Sequence, residues 1–236
     1  MGGSSKGNLI DRSEAVLIID CKQGGSEWMR HRLGIPTASQ FHRIITPKTM
    51  EPSSQATGYM NELLAEWVTG VPHGIDASPF MERGAMLEDA ARNWYAMERD
   101  VDPQRVGVVL RDDRMVGCSP DSLVGEDGGL EIKVPSAHVQ VGTLLRGKIE
   151  AHAAQVQGCL WLTGRTWWDL VSWNPEIPTV VTRVERDAFF IKCLEAAVNM
   201  FVEHLVRSRA TLLTLGCKRA TRLLVPAMSC SDPFPF

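Results

Sequence analysis

The sequence contains no apolar run approaching the roughly 18 residues needed to cross a bilayer, so a soluble protein is expected. It also lacks any C-x-x-C pair. Cys21, Cys118, Cys159, Cys193, Cys217 and Cys230 are scattered, which argues against a zinc site or a disulfide framework and for a reducing, cytoplasmic setting. No excess of positive charge is present either: 25 Lys and Arg face 28 Asp and Glu, a net charge of −3. Nothing global therefore advertises nucleic acid, and any such contact must come from local basic patches or a symmetric assembly that concentrates them. The opening residues, MGGSSKGNLIDRSE, lack the apolar stretch of a signal peptide and are rich enough in Gly and Ser for residues 1–14 to be flexible.

What is present is enough for one core. With 236 residues, 44% of them hydrophobic, a single α/β domain over 15–210 followed by a tail over 211–236 is the simplest organisation. Residues 15–20 (AVLIID) read as a strand or buried segment. Trp28, Leu33 and Ile35 read as packing residues, Pro36 ends whatever helix precedes it, and Thr37 or Ser39 can cap a new helix through Ile45. Helical spacing over 53–70 involves Tyr59, Met60, Leu63, Leu64 and Trp67, with Gly70 as its stop. A second helix is expected over about 81–97, then a meander of three or four short strands over 105–134. A loop over 135–147 follows, because Gly142 and Gly147 discourage regular structure. Beyond it come a helix over about 148–162, strands over 167–173 and 179–184, and a long amphipathic helix over about 185–209. The tail reads as disordered past Pro226 or as a docking segment.

The chemistry concentrates in Gly117–Pro135, GCSPDSLVGEDGGLEIKVP. Side chains alternate along a strand, so Glu131 and Lys133 point one way and Ile132 the other. If the 125–129 turn closes a hairpin, Asp121 meets them from the neighbouring strand. Two carboxylates on adjacent strands form a hard, oxygen-rich corner suited to Mg²⁺ or Mn²⁺, and a lysine beside them suits metal-assisted phosphodiester hydrolysis. An ordinary charged surface hairpin has the same pattern. Elsewhere, Arg32 near the start of a helix with Ser39 is a ready anion site, although a capping Ser39 with a solvated Arg32 is the plainer reading. Glu88 falls on a stripe with Met81, Ala85 and Arg92, where a carboxylate either snorkels outward or faces a polar site. Gln155, on the helix before the 167–173 strand, is either solvated or turned toward such a site.

Taken together, QGGSEWMRHRLGIPTAS (23–39), Glu88 on its helix, CSPD (118–121) with EIK (131–133), and AQVQ (154–157) before an aromatic-rich strand occur in the order of one family. Over about residues 20–205 the chain resembles the phage lambda exonuclease family, the YqaJ-like viral recombinase branch of the PD-(D/E)xK nucleases. The resemblance implies an α/β fold with a mixed central sheet flanked by helices in a single domain. It implies Mg²⁺, with Mn²⁺ as a substitute and two ions in all, held by Asp121, Glu131 and the Ile132 carbonyl, with Glu88 helping the second. Lys133 then positions or activates the attacking water, and Gln155 lies beside that water or the phosphate. Asp112 is a loose match to a further acid. Arg32, Ser39 and Ser119 match residues that grip a 5′-phosphate, and Met81 matches an apolar wedge at the duplex end. The sequence departs from the family after EIKVP, where SAHVQVGTLLR lacks an expected arginine; His138 or Arg146 is its substitute.

The activity so implied is 5′-to-3′ digestion of double-stranded DNA from ends bearing a 5′-phosphate, releasing mononucleotides and leaving a 3′ single strand. A homotrimeric ring and a single-strand annealing protein as partner come with it. The rivals are another PD-(D/E)xK nuclease such as a structure-specific endonuclease, and a catalytically silent DNA-binding module. A Cas4-type exonuclease would need four clustered cysteines, and these are absent.

Overall fold

The computed structural model describes residues 16–74, 79–149 and 152–224, with the side chains of 79–86 outside that description. The expectations for residues 1–14, for the Met81 side chain and for the chain past Pro226 lie outside the described residues. In chain order the elements are β1 (Val16–Ile19), α1 (Ser26–Arg32), a 3₁₀ turn (Ala38–Arg43), α2 (Ala56–Thr69), α3 (Pro79–Arg99), β2 (Pro103–Gln104), β3 (Val108–Arg111), β4 (Gly117–Cys118), β5 (Ser122–Val124) and β6 (Gly128–Lys133). They continue as α4 (Ala137–Arg146), α5 (Ala153–Thr163), β7 (Trp167–Asn174), β8 (Ile177–Glu185) and α6 (Ala188–Thr214).

The strands form two sheets. One has the order β1-β3-β4, the other β2-β5-β6-β7-β8, in which only the β6–β7 pair is parallel. The expected meander over 105–134 is therefore split: β3 and β4 join β1, while β5 and β6 belong to the mixed sheet. Val124, Leu130, Ile132 and Val171 on one face of that sheet pack against Ala91 and Tyr95 of α3. Trp168 and Leu170 on the other face pack with Leu160 of α5 and Leu194 of α6 in the larger core. The result is a single α/β domain, a mixed central sheet flanked by helices.

Gly128 and Gly129 belong to β6 and not to the turn before it, because the neighbouring strand needs their bareness. A Cβ on Gly129 would sit 2.2 Å from the Trp168 ring, and one on Gly128 would meet Trp167. Residues 137–146 form helix α4, not the expected loop. Gly147, at φ 69°, closes the helix in the left-handed conformation. Tertiary contacts then fix it: buried Gln140 donates to the Ser172 and Pro178 carbonyls at 3.0 and 2.7 Å and accepts from Ser172 Oγ at 2.5 Å. After Pro36 the chain makes a 3₁₀ turn without a side-chain cap, where an α-helix was expected. At the far end α6 runs to Thr214, and the segment after it returns to α2, with Ala220 N–H donating to Trp67 O at 3.0 Å and Leu224 N–H to Gly70 O at 2.7 Å.

Candidate active site

The β5–β6 hairpin carries the acids. Ser122 pairs with Leu130, which brings Asp121 across from the end of β6, where its Oδ2 accepts the Ile132 N–H at 2.5 Å. Ile132 turns its side chain toward α3, so Glu131 and Lys133 face α5, as strand alternation requires. Lys133 Nζ and Gln155 Nε2 both donate to Glu131 Oε1 at 2.6 Å. Glu131 is 3% exposed, and its other oxygen, Oε2, is buried without a hydrogen-bond partner among the described residues. Such an oxygen costs about 1–3 kcal/mol or more when charged.

Burial and neighbouring charges set the direction in which each group's pKa moves. Burial pushes the Asp121 carboxyl well above the usual carboxylate range, and the nearby Glu131 and Glu88 charges add to the effect; the Ile132 N–H and Lys133 oppose it. For Lys133, burial works against the charge, yet Glu131 outweighs it and holds the ammonium above its ordinary value. Lys133 is thus a cation here and not a free base. The His152 imidazole, at the left-handed turn that starts α5, is pulled down by burial and by Lys133.

Glu88 reaches this cluster through Arg92, a residue that sequence reading placed on the same helical stripe without giving it a role. Arg92 is 6% exposed and forms an ion pair with Glu88; it also donates to Asp89 Oδ1 at 2.8 Å, Ser122 Oγ at 2.9 Å and the Asp121 carbonyl at 3.3 Å. The i,i+4 spacing of Glu88 and Arg92 was the available signal.

Among the described residues no three His, Cys, Asp or Glu side chains converge as a metal cage. The donors that do meet fit a divalent ion of the Mg²⁺ class, which is held by one or two carboxylates together with waters and substrate phosphate. Glu131 Oε2 is an unpartnered hard donor, and Asp121 carries a like-charge strain that a cation would relieve.

A second corner is built without carboxylates. Arg32 Nη1 and Trp28 Nε1 both donate to Ser119 Oγ, at 2.9 and 2.8 Å, and the guanidinium lies 4.1 Å from the Trp28 ring centroid. Arg32 Nη2 donates to Thr37 Oγ1 at 3.3 Å, and Ser39 Oγ is 3.4 Å from that oxygen. Since Ser119 Oγ accepts twice here, its own proton is available to an anion. Burial lowers the Arg32 guanidinium from its ordinary value, and among the described residues no carboxylate pairs with it. Trp28, read from sequence as packing, is therefore a polar partner too. Gln23 ties the corner to the acids by donating to the Pro120 carbonyl at 2.8 Å, between Ser119 and Asp121.

Asp112 stays apart in the exposed β3–β4 turn, where its carboxylate accepts the Asp113 N–H at 2.7 Å. His138 Nδ1 is 3.2 Å from Ser136 Oγ, whereas Arg146 lines a cleft beside Lys133.

Comparisons with known proteins give the family and the fold. Residues 27–166 match the model of the YqaJ-like viral recombinase domain. The chain is similar to the crystal structure of the alkaline exonuclease LHK-Exo from Laribacter hongkongensis, with 31% identity, 81% of this chain and 98% of that one covered, and a TM-score of 0.73. The complex of LHK-Exo with dAMP matches at the same identity and coverage, with a TM-score of 0.74. A phage related exonuclease from Haemophilus somnus 129PT shares the fold at 14% identity, with 74% of this chain and 96% of that one covered and a TM-score of 0.56. A search of curated proteins finds no match.

Proposed function

We propose that this chain, which belongs to the YqaJ-like viral recombinase family of nucleases, is an Mg²⁺-dependent 5′-to-3′ exonuclease on double-stranded DNA. It releases mononucleotides and leaves a 3′ single strand for recombination by annealing. One observation carries the reading: Ser119, in the carboxylate-free corner with Arg32, and Asp121, in the acid cluster, are two residues apart on one loop. A terminal phosphate gripped by Arg32 and Ser119, with Ser39 at the edge, is thereby set beside the acids. That LHK-Exo has been crystallised with dAMP, a nucleotide of the kind such a reaction releases, supports the assignment.

Asp121, Glu131 and the Ile132 carbonyl would hold one divalent ion, with Glu88 toward a second. Bound ions supply positive charge that polarises the phosphodiester and acidifies water. The side chains do the rest. Gln155 and Lys133 fix Glu131 through Oε1, which leaves Oε2 directed for coordination. Lys133, kept protonated, orients a water or offsets charge on a phosphoryl oxygen. Arg92 keeps Glu88 beside the Asp121 backbone. A homotrimeric ring that gathers basic residues around the duplex, a single-strand annealing protein as partner, and a cytoplasmic setting belong to the same proposal.

The test is digestion of a 5′-labelled linear duplex and a covalently closed circle, with and without Mg²⁺, reading product size. Labelled mononucleotides from the linear DNA alone, and only with Mg²⁺, are expected. Cutting of the circle would instead assign an endonuclease, and DNA binding without release a silent module.

A further inference from the structure

Next to Lys133, on the side away from the Ser119 loop, the end of β6, helix α4 and the approach to α5 enclose a cleft of about 480 Å³. Its size falls in the range of roughly 300–1,000 Å³ that accepts a group the size of a nucleotide unit. Pro135, Val139 and Ile149 supply apolar wall, His152 a flat ring, and Arg146 and Lys133 positive charge; among the described residues no carboxylate lines it. Arg146 is exposed at the last turn of α4, and among the described residues its hydrogen bond is a 3.5 Å contact to Thr143 Oγ1, which leaves most of the fork of N–H donors facing outward from that contact. The wall that carries it is stiff, because Gln140 pins α4 to the Ser172 and Pro178 carbonyls. A cleft with an apolar wall, a flat ring, an exposed guanidinium and a lysine matches the chemistry of a sugar-phosphate unit.

We propose that this cleft is a subsite for the sugar-phosphate backbone of the DNA strand beyond the bond being cut, with Arg146 as its phosphate-binding residue. The inference rests on the nuclease reading and extends it. A strand whose end lies at Arg32 and Ser119 passes the acids and continues past Lys133 into the cleft. Lys133 thus belongs both to the acid cluster and to the path of the strand.

The experiment measures binding of a 5′-phosphorylated linear duplex by fluorescence anisotropy, with Ca²⁺ replacing Mg²⁺, over a series of salt concentrations. Wild type, Arg146→Gln and Arg146→Lys are compared, and dAMP binding to each is followed by calorimetry. Arg146→Gln is expected to weaken duplex binding about tenfold at low salt and to reduce the salt slope by about one, the mark of one lost phosphate contact. Arg146→Lys should recover the slope, and dAMP should bind all three alike, because the mononucleotide sits at Arg32. An unchanged salt slope in Arg146→Gln, or a loss of dAMP binding equal to the loss of duplex binding, overturns the subsite. If the wild type and variants behave as expected in binding but no DNA is hydrolysed in Mg²⁺, the nuclease reading falls while the cleft stands as a backbone site.

Discussion

Two buried carboxylates lie back to back on neighbouring strands. Asp169 of β7 pairs in register with Leu130, and Glu131 of β6 with Leu170, so they face opposite sides of the sheet. Asp169, 1% exposed, is fully satisfied: Arg183 donates to both its oxygens at 2.8 and 2.9 Å, and the Tyr95 hydroxyl donates to Oδ2 at 2.8 Å. Arg183 is itself seated 3.7 Å from the Trp167 ring centroid. Glu131 is nearly as buried, yet both of its donors crowd one oxygen and the other has none. Burial of an acid thus does not distinguish framework from site. On the proposed reading, the distribution of its partners does.

The comparison predicts opposite failures. Glu131→Gln should lower hydrolysis by at least about a thousandfold, the scale of losing a group that organises charge in the transition state. Its melting temperature should stay near that of the wild type, since the like charge beside Asp121 and the partner charge of Lys133 go together while the amide oxygen can still accept from Lys133 and Gln155. Asp169→Ala should lose about 3–5 kcal/mol of stability by orphaning Arg183, with activity falling only as the folded fraction falls. Denaturant unfolding and initial rates on both variants check this; a stable Asp169→Ala protein without activity would break the comparison.

A smaller effect concerns pH. The Asp121 carboxyl has a folded-state pKa raised above its unfolded value. Its contribution to metal-free stability is therefore fully present below the ordinary carboxylate range and is lost as pH rises through the folded value. Melting curves in chelator should fall with rising pH more steeply for wild type than for Asp121→Asn. Mg²⁺ should reverse the difference, stabilising the wild type increasingly as pH rises, because the ion replaces the proton. In the carboxylate-free corner, Arg32→Gln should cut the preference for a 5′-phosphate over a 5′-hydroxyl about ten- to a hundredfold, the worth of a hydrogen bond to a charged group. Trp28→Phe keeps a ring under Arg32 but drops the bond to Ser119, and should cost about fivefold in the same competition assay.

Much of this was legible in the sequence where local rules decide. Alternation placed Glu131 and Lys133 on one face and Ile132 on the other, and periodicity found α2 to within a few residues of Ala56–Thr69. Partners distant in the chain decided the rest. Gly128 and Gly129 looked like turn residues because the Trp167 and Trp168 rings that require them lie some 40 residues on. Helix α4 was masked by Gly142 and Gly147, although Ser136 at its N-cap and Gly147 just past its end mark both termini. Nothing in the short runs of 105–134 says which sheet each strand joins. In the site, the motif residues were visible, but Arg92, Trp28 and Gln23 act through contacts with chain 29 to 97 residues away.

The most direct measurement is a calorimetric Mn²⁺ titration of the metal-free wild type beside Glu131→Gln, with circular dichroism to show that both are folded. The wild type should bind the ion, and the variant should bind at least about a hundredfold more weakly while keeping the same spectrum. Equal Mn²⁺ affinity in the two proteins would contradict the claim that the half-satisfied Glu131 carboxylate is built to hold a metal.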